Sequence, residues 1–274
     1  KELMTTIYDS AKRKHPAIEE LFAIFKYRDL IYQLVRRDIV ARYKRSVLGV
    51  AWTMLNPLGI MIVMTVVFSQ VFSRVESYPA YILTGLICWN MFQQSTSFAM
   101  TSMVWGSKLL QQIYLPNTSF VISTILASLV NFLLSLIPLF LIMLVTGVSI
   151  TWTALLLPFP MIFIGAFSLG IGLLISTLAV FFPDIAEIYP VFLRAWMYLT
   201  PIIIPVDVLR NILDGWLLKL NPLYYIVEIF REVIYYGTIP PLENWIIAFV
   251  ISFGTLVLGW ILFSTRADKF AYYV

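Results

Sequence analysis

Residues 109 to 183 contain no Asp, Glu, Lys or Arg, and two further stretches, 46 to 73 and 77 to 107, are equally free of charge. The longest run has room for two or three bilayer crossings at roughly 20 residues each. Only 12% of the 274 residues are charged and 60% are hydrophobic, whereas an ordinary soluble domain is about a quarter charged. Lipid, not water, is the main solvent for which such a chain is built. The expected fold is an all-α integral membrane protein.

Hydropathy divides the apolar residues into six expected spans, at 48–73, 79–104, 118–146, 152–181, 185–204 and 244–264. This gives a segment 1–47, a transmembrane domain 48–264 and a tail 265–274. The long run is expected to break at Gly147 and Ser149, which supply turn chemistry between two helices. The fifth span carries Glu187, Pro190, Arg194 and Pro201, the pattern of a broken or re-entrant helix. Its two charges, seven residues apart on one face, leave open a packing role or an ion-coupling role. The opening residues are polar, without the apolar core of a cleavable signal, so the first span is expected to act as the targeting element and stay.

Basic residues set the orientation. With an inner N-terminus, the inner side holds fourteen Lys and Arg, eleven of them within residues 1–45, and the outer side holds Arg74, Arg210, Lys219 and Arg231. Both termini are therefore expected to be cytoplasmic. Just before the first span, Tyr27, Leu30, Ile31, Leu34 and Val35 form a helical stripe, which drifts beyond Asp38 and suggests a bend before that span. An interfacial helix of this kind would turn Arg36, Arg37, Arg42, Lys44 and Arg45 toward lipid phosphates or a protein partner. Positive-inside anchoring alone also explains these charges.

Between the fifth and sixth spans, residues 206–237 are too polar to cross and too patterned for plain loop. Leu209, Ile212, Leu213, Trp216 and Leu220 form an apolar stripe opposite Asp207, Arg210, Asn211 and Asp214. A second short helix is expected to start at the Asn221-Pro222 cap and end at Gly237, with Ile226, Ile229, Phe230, Val233 and Ile234 opposite Glu228, Arg231 and Glu232. The pair reads as an outer gate dipping into the bilayer or as helices resting on its surface. Trp89, Phe92, Trp196 and Tyr198 lie deeper and suit either a path along which sugar faces stack or ordinary helix packing.

Chemistry in the spans is sparse. The one cysteine, Cys88, excludes an intrachain disulfide or a cysteine-built zinc cluster, and His15 lies in the polar opening segment. The glycines of GAFSLGIG, 165–172, match phosphate-loop spacing, but Ile171 and Gly172 stand where Lys and Ser or Thr are required. The better reading is close helix packing through Ala166/Gly170, Ser168/Gly172 and Gly172/Ser176. Energy for uphill transport would come from another chain.

Five blocks carry a family resemblance: RRDIVARYKRSVLGVAWTMLNPL at 36–58, YILTGLICWNMFQQS at 81–95, LLQQIYLPNTSF at 109–120, FFPDIAEIYPVFLRAWMYLTPIIIP at 181–205 and LNPLYYIVEIFREVIYYG at 220–237. Together they resemble the permease subunits of type-2 ATP-binding-cassette exporters of lipid-linked polysaccharides such as O-antigen, teichoic acid and capsule. In the third block Gln111-Gln112 and Leu115-Pro116-Asn117 replace the basic pair and the aromatic-Pro-Arg sequence common in such permeases, and in the fourth Pro183 precedes Asp184 where Arg is common.

The resemblance implies a six-span half-transporter of the bacterial inner membrane that is not itself an enzyme and binds no cofactor. It would work as a homodimer with two copies of a separate ATPase, which binds ATP and Mg. Lipid-linked polysaccharide and membrane lipids are the other expected partners, with no nucleic acid. Tyr27, Leu30, Leu34, Lys108, Gln111, Gln112, Tyr114, Pro116 and Asp184 would lie at the ATPase coupling surface. Asp207, Arg210, Asp214, Asn221, Pro222, Glu228, Arg231 and Glu232 would form the outer gate. The five basic residues would attract a polyprenyl-linked pyrophosphate. An exporter of drugs or simple lipids would share this topology, and a membrane-embedded transferase acting on polyprenyl lipids would instead be active alone and depend on Glu187 or Asp184.

Overall fold

A computed structural model describes residues 16–44, 46–105, 116–212 and 214–273. Among these every regular element is a helix: α1 (Pro16–Lys26), α2 (Arg28–Tyr43), α3 (Ala51–Phe68), α4 (Tyr78–Trp105), α5 (Asn117–Thr146), α6 (Pro158–Phe181), α7 (Ile185–Leu199), α8 (Val206–Ile212), α9 (Asp214–Lys219), α10 (Pro222–Arg231) and α11 (Leu242–Tyr273). A 3-10 turn at Trp152–Leu156 precedes α6 and a π-turn at Glu232–Tyr236 prolongs α10. Four stretches are long and apolar enough to cross a membrane: Ala51–Phe68, Asn117–Thr146, Trp152–Phe181 and Leu242–Phe270. Helix α4 is also long, at 28 residues, but Asn90 and the run Gln93-Gln94-Ser95-Thr96-Ser97 make it more polar.

The expected break after Thr146 is present. Gly147 ends α5 with φ 77° and donates its N–H to Met143 O, a left-handed cap that glycine adopts without a Cβ penalty. Helix α2 continues past Asp38 to Tyr43, with Ile31 and Leu34 buried and the helix held along α5, and ends before α3 begins at Ala51. Two boundaries differ from the sequence reading. Helix α1 had no counterpart in it. Helix α11 runs nine residues past the expected span end, with Phe263 and Phe270 both buried.

Long-range contacts define two ends of the bundle. At one, Trp260 donates to Ala17 O at 3.0 Å, Asn117 donates to Ala267 O at 3.4 Å and the Phe181 and Phe270 rings meet at 6.0 Å. This end carries α1 and the start of α2. At the other, Tyr78 donates to Ile203 O at 3.0 Å and Thr153 to Val233 O at 2.7 Å.

Helices α6 and α11 form the most extensive pair, and the small residues of α6 explain it. A Cβ on Gly170 would meet the Thr255 backbone at 2.5 Å, and one on Gly259 would collide with Gly170 O. Backbone therefore lies on backbone. Gly172 faces Ala99 Cβ, where an added Cβ would sit at 3.3 Å. Replacing Gly170 by Val should force the helices apart at a cost of about 1–3 kcal/mol, read as a lower Tm in detergent thermal unfolding; an unchanged Tm would contradict this crossing.

Candidate functional site

The second of the two gate-like helices is interior, not laid on a surface: Ile226, Ile229, Phe230, Val233 and Ile234 are all buried in the main core, whereas Trp216 and Leu220 of the first helix's expected stripe are exposed. Asn221 builds its entry. Its Oδ1 accepts from Leu223 N at 3.1 Å and from Trp196 Nε1 at 2.9 Å, while Nδ2 donates to Leu199 O at 3.0 Å and to Thr200 Oγ1 at 2.9 Å. Both lone pairs and both protons are used, so one amide caps α10 and ties it to the end of α7. Pro222 takes the first helical position, as expected. The stretch read as one amphipathic helix is helical at α8 and α9, and Leu213 between them, like the side chain of Asp214, lies outside the described set.

Arg231 does not share the polar face assigned to it. It is 0% exposed, its guanidinium lies 3.8 Å from the centre of the Tyr81 ring, and it donates to Pro201 O, to Ile202 O at 3.1 Å and to Thr84 Oγ1 at 3.3 Å. No ion pair to it is present among the described residues. The broken end of α7 frees carbonyls at Pro201 and Ile202, and the guanidinium supplies the missing donors. Gly85 makes room: a Cβ there would stand 2.6 Å from Arg231 Nη2.

Glu228 and Glu232, one turn apart, face a polar vestibule of about 710 Å³ together with Asp207, Arg210, Arg74 and Glu76. The chain segments that meet there are the α3–α4 and α5–α6 connections, the start of α8 and the π-turn. One oxygen of each of the two glutamates is buried without a hydrogen-bond partner. Burial, then the neighbouring Glu228 charge, pushes the Glu232 carboxyl up to about 7. Among the described residues no three His, Cys, Asp or Glu side chains converge as a metal site.

At the other end of the bundle Arg36, Arg37 and Lys44 are exposed along α2 and its C-cap, with Arg37 paired to Asp38 at 2.8 Å. Tyr43 turns inward and donates to Asn131 Oδ1 at 2.9 Å. Leu34 is buried, Tyr27 and Leu30 are half-buried, Pro116 caps α5 and Asp184 is exposed at the start of α7. The Arg42 side chain, Arg45, Lys108, Gln111, Gln112 and Tyr114 lie outside the described residues.

The aromatic set expected to line a path is divided. Phe92 is 0% exposed and Trp89 2%; the Phe92 ring meets Phe167 at 5.4 Å and Trp196 at 5.1 Å, and Trp89 meets Phe92 at 5.8 Å. Both rings are core, because the facing aromatics of α6 and α7 fill the space that a path would need. Trp196 is half-buried and Tyr198 is exposed. Tyr198 shares an outward face of α7 with Glu187, Val191 and Arg194.

The family model described as "ABC-2 type transporter" matches residues 29–235. The chain belongs to the ABC-2 type transporter family. It is 28% identical over 254 residues to the O-antigen export system permease protein RfbA of Myxococcus xanthus, covering 90% of this chain and 96% of that protein. A Klebsiella pneumoniae protein of the same name is 26% identical, covering 89% and 94%, and the polysialic acid transport protein KpsM of Escherichia coli is 24% identical, covering 86% and 92%.

In this ABC-2 transporter the sequence reading missed the burial of Arg231 and the inward turn of Tyr43. The first had a signal: Pro201 interrupts the fifth apolar stretch, and freed carbonyls call for a donor. Arg231→Met should strand those carbonyls and lower stability by about 1–3 kcal/mol for each left unpaired, measured as loss of Tm in detergent. A wild-type Tm would refute the latch. The raised Glu232 carboxyl predicts a pH effect of definite sign. Its folded form holds the proton more tightly than the ordinary 4.5, so stability is fullest below about pH 4.5 and falls as pH rises toward 7. Glu232→Gln should flatten the Tm-versus-pH curve in that window; an unchanged slope would contradict the raised carboxyl.

Proposed function

We propose that this chain is the transmembrane half of an ATP-driven exporter that moves a polyprenyl-pyrophosphate-linked polysaccharide from the cytoplasmic to the outer side of a bacterial inner membrane. The observation that carries this reading is near-full-length similarity to proteins named as O-antigen export permeases. Two chains would form the path, and two copies of a separate ATPase, holding ATP and Mg, would drive it. The end with α1 and α2 faces the cytoplasm and the vestibule faces outward. This orientation puts the basic residues of α2 on the inner side, as the charge rule requires.

The six crossings would be α3, α4, α5, α6 with its 3-10 turn, α7 and α11. Helix α7 has 15 residues, about 22 Å at 1.5 Å per residue, too short for a hydrocarbon core of about 30 Å. The Thr200–Pro205 turn and the buried α10 complete that crossing. Glu187, Arg194 and Tyr198 on the outward face of α7 are costly against lipid, which supports a water-lined path or the second protomer there. ATPase closure would push on α2, the start of α5 and the start of α7, and spread the outer vestibule.

The pyrophosphate would meet Arg36, Arg37, Arg42, Lys44 and Arg45, each worth about 1 kcal/mol near an anionic surface. Replacing all five by Gln should abolish most glycan export while membrane levels and ATPase co-purification stay normal. Unchanged export in that variant would remove the pyrophosphate role. Purification from native membranes should yield a stable ATPase partner whose hydrolysis rises with lipid-linked glycan; a rise with simple lipids alone would favour the drug or lipid exporter, and catalytic activity of the isolated chain would favour the transferase.

A further inference from the structure

Beside the last residue of α2, between α3, α4 and α5, lies a cavity of about 250 Å³. Four carboxamides, Asn56, Asn90, Gln94 and Asn131, converge on it with the rings of Tyr43 and Trp52, and no lining residue is charged. Thr53, Ser128 and Ser135 add hydroxyls to these amides, so a concentrated polar lining lies inside otherwise apolar helices. Asn56 and Asn90 make no side-chain hydrogen bond among the described residues, and Ser128, which also lines the cavity, is 2% exposed with its hydroxyl unpartnered. A buried hydroxyl such as that of Ser128 is nearly always satisfied, and the exposed Asn56 and half-buried Asn90 line the same space. These are donors and acceptors arranged for something that the chain itself does not supply.

The lining selects the ligand class. Without a cation it is a poor phosphate site, and without a carboxylate a poor amine site. Carboxamides both donate and accept, which matches a ring bearing several adjacent hydroxyls, and the half-exposed Trp52 offers an aromatic face to the C–H side of such a ring. The volume is below the roughly 300–1,000 Å³ of sites for drug-sized ligands, which suits one sugar and not a chain. Ser135 Oγ donates to Thr53 O at 3.3 Å, so the cavity sits at the first turn of α3. Tyr43 lines it, and Lys44 follows immediately at the end of the basic helix.

We propose that this cavity binds the first pyranose of the lipid-linked glycan, a neutral sugar bearing hydroxyl or N-acetyl groups, while the pyrophosphate attached to that sugar lies among the cations at the end of α2. The proposal rests on the export reading above and adds the part of the substrate that the permease selects. Asn56 and Asn90 are then specificity-determining residues, and Tyr43 positions Asn131.

The test uses the complete transporter with its ATPase in nanodiscs and two kinds of probe: farnesyl pyrophosphate, and the same lipid carrying one N-acetylglucosamine, glucose or galactose. Wild type should bind at least one sugar-bearing probe about tenfold or more tighter than the sugar-free one, a difference of about 1.4 kcal/mol. Asn90→Leu and Asn56→Leu should bring that ratio close to one, and Asn90→Gln, which keeps the amide, should retain much of it. Asn56 is on the exposed side of α3, so its variant should fold even if the one at Asn90 does not. A ratio preserved in the leucine variants would overturn the site. Equal wild-type affinity for all probes would overturn it too while leaving the export reading intact, whereas an assembled complex that binds none of them would count against both.

Discussion

The fold turns on a cation held where no water reaches it. Stripping a guanidinium of its hydration costs several kcal/mol unless its donors are satisfied, and Arg231 meets that demand with backbone carbonyls and a ring instead of a carboxylate. The same contact solves a second problem. Helix α7 stops at Leu199, short of the far end of the bundle, and its freed carbonyls would otherwise be buried unpaired. One side chain thus ties the broken end of α7 to α4 and fixes the turn of α10 from which it projects, with Gly85 keeping the space open.

Around that latch the molecule separates rigid from coupled parts. Helices α6 and α11 touch backbone to backbone and behave as one body. Helix α1 is attached to both α11 and α5 at the basic end, through Trp260 to Ala17 and Thr118 to Glu20. Helix α2 meets α5 through buried Leu34 and, nine residues on, through Tyr43 and Asn131. Phe132, next along α5, meets Phe230 at 5.6 Å, and Arg231 follows. A continuous set of packed contacts therefore joins the basic helix to the vestibule.

Features governed by local chemistry were legible in the sequence. The positions of the long helices followed from hydropathy, the Gly147 break and the Asn221 cap from turn and cap chemistry, and the Gly170 packing from small-residue spacing. Features set by tertiary partners were not. Charge placed Arg231 on a polar face because the sequence does not display the carbonyls that Pro201 frees. Trp89 and Phe92 looked suited to a path because their packing partners, Phe167 and Trp196, lie about 75 and 100 residues away. The polar cavity was invisible because its amides come from three helices, each carrying one or two that look incidental.

Helix α3 is the least anchored of the long apolar helices, with Pro57 and Met61 its only buried residues. Its outward side, including Ile62, Val63, Val66 and Val67, is open along its length. Swinging it away from α4 and α5 would uncover little core, so the energy of such a movement is set by what lies outside the protomer rather than within it. The first apolar helix is in that sense a hinged panel, and its resting position is decided by the company it keeps.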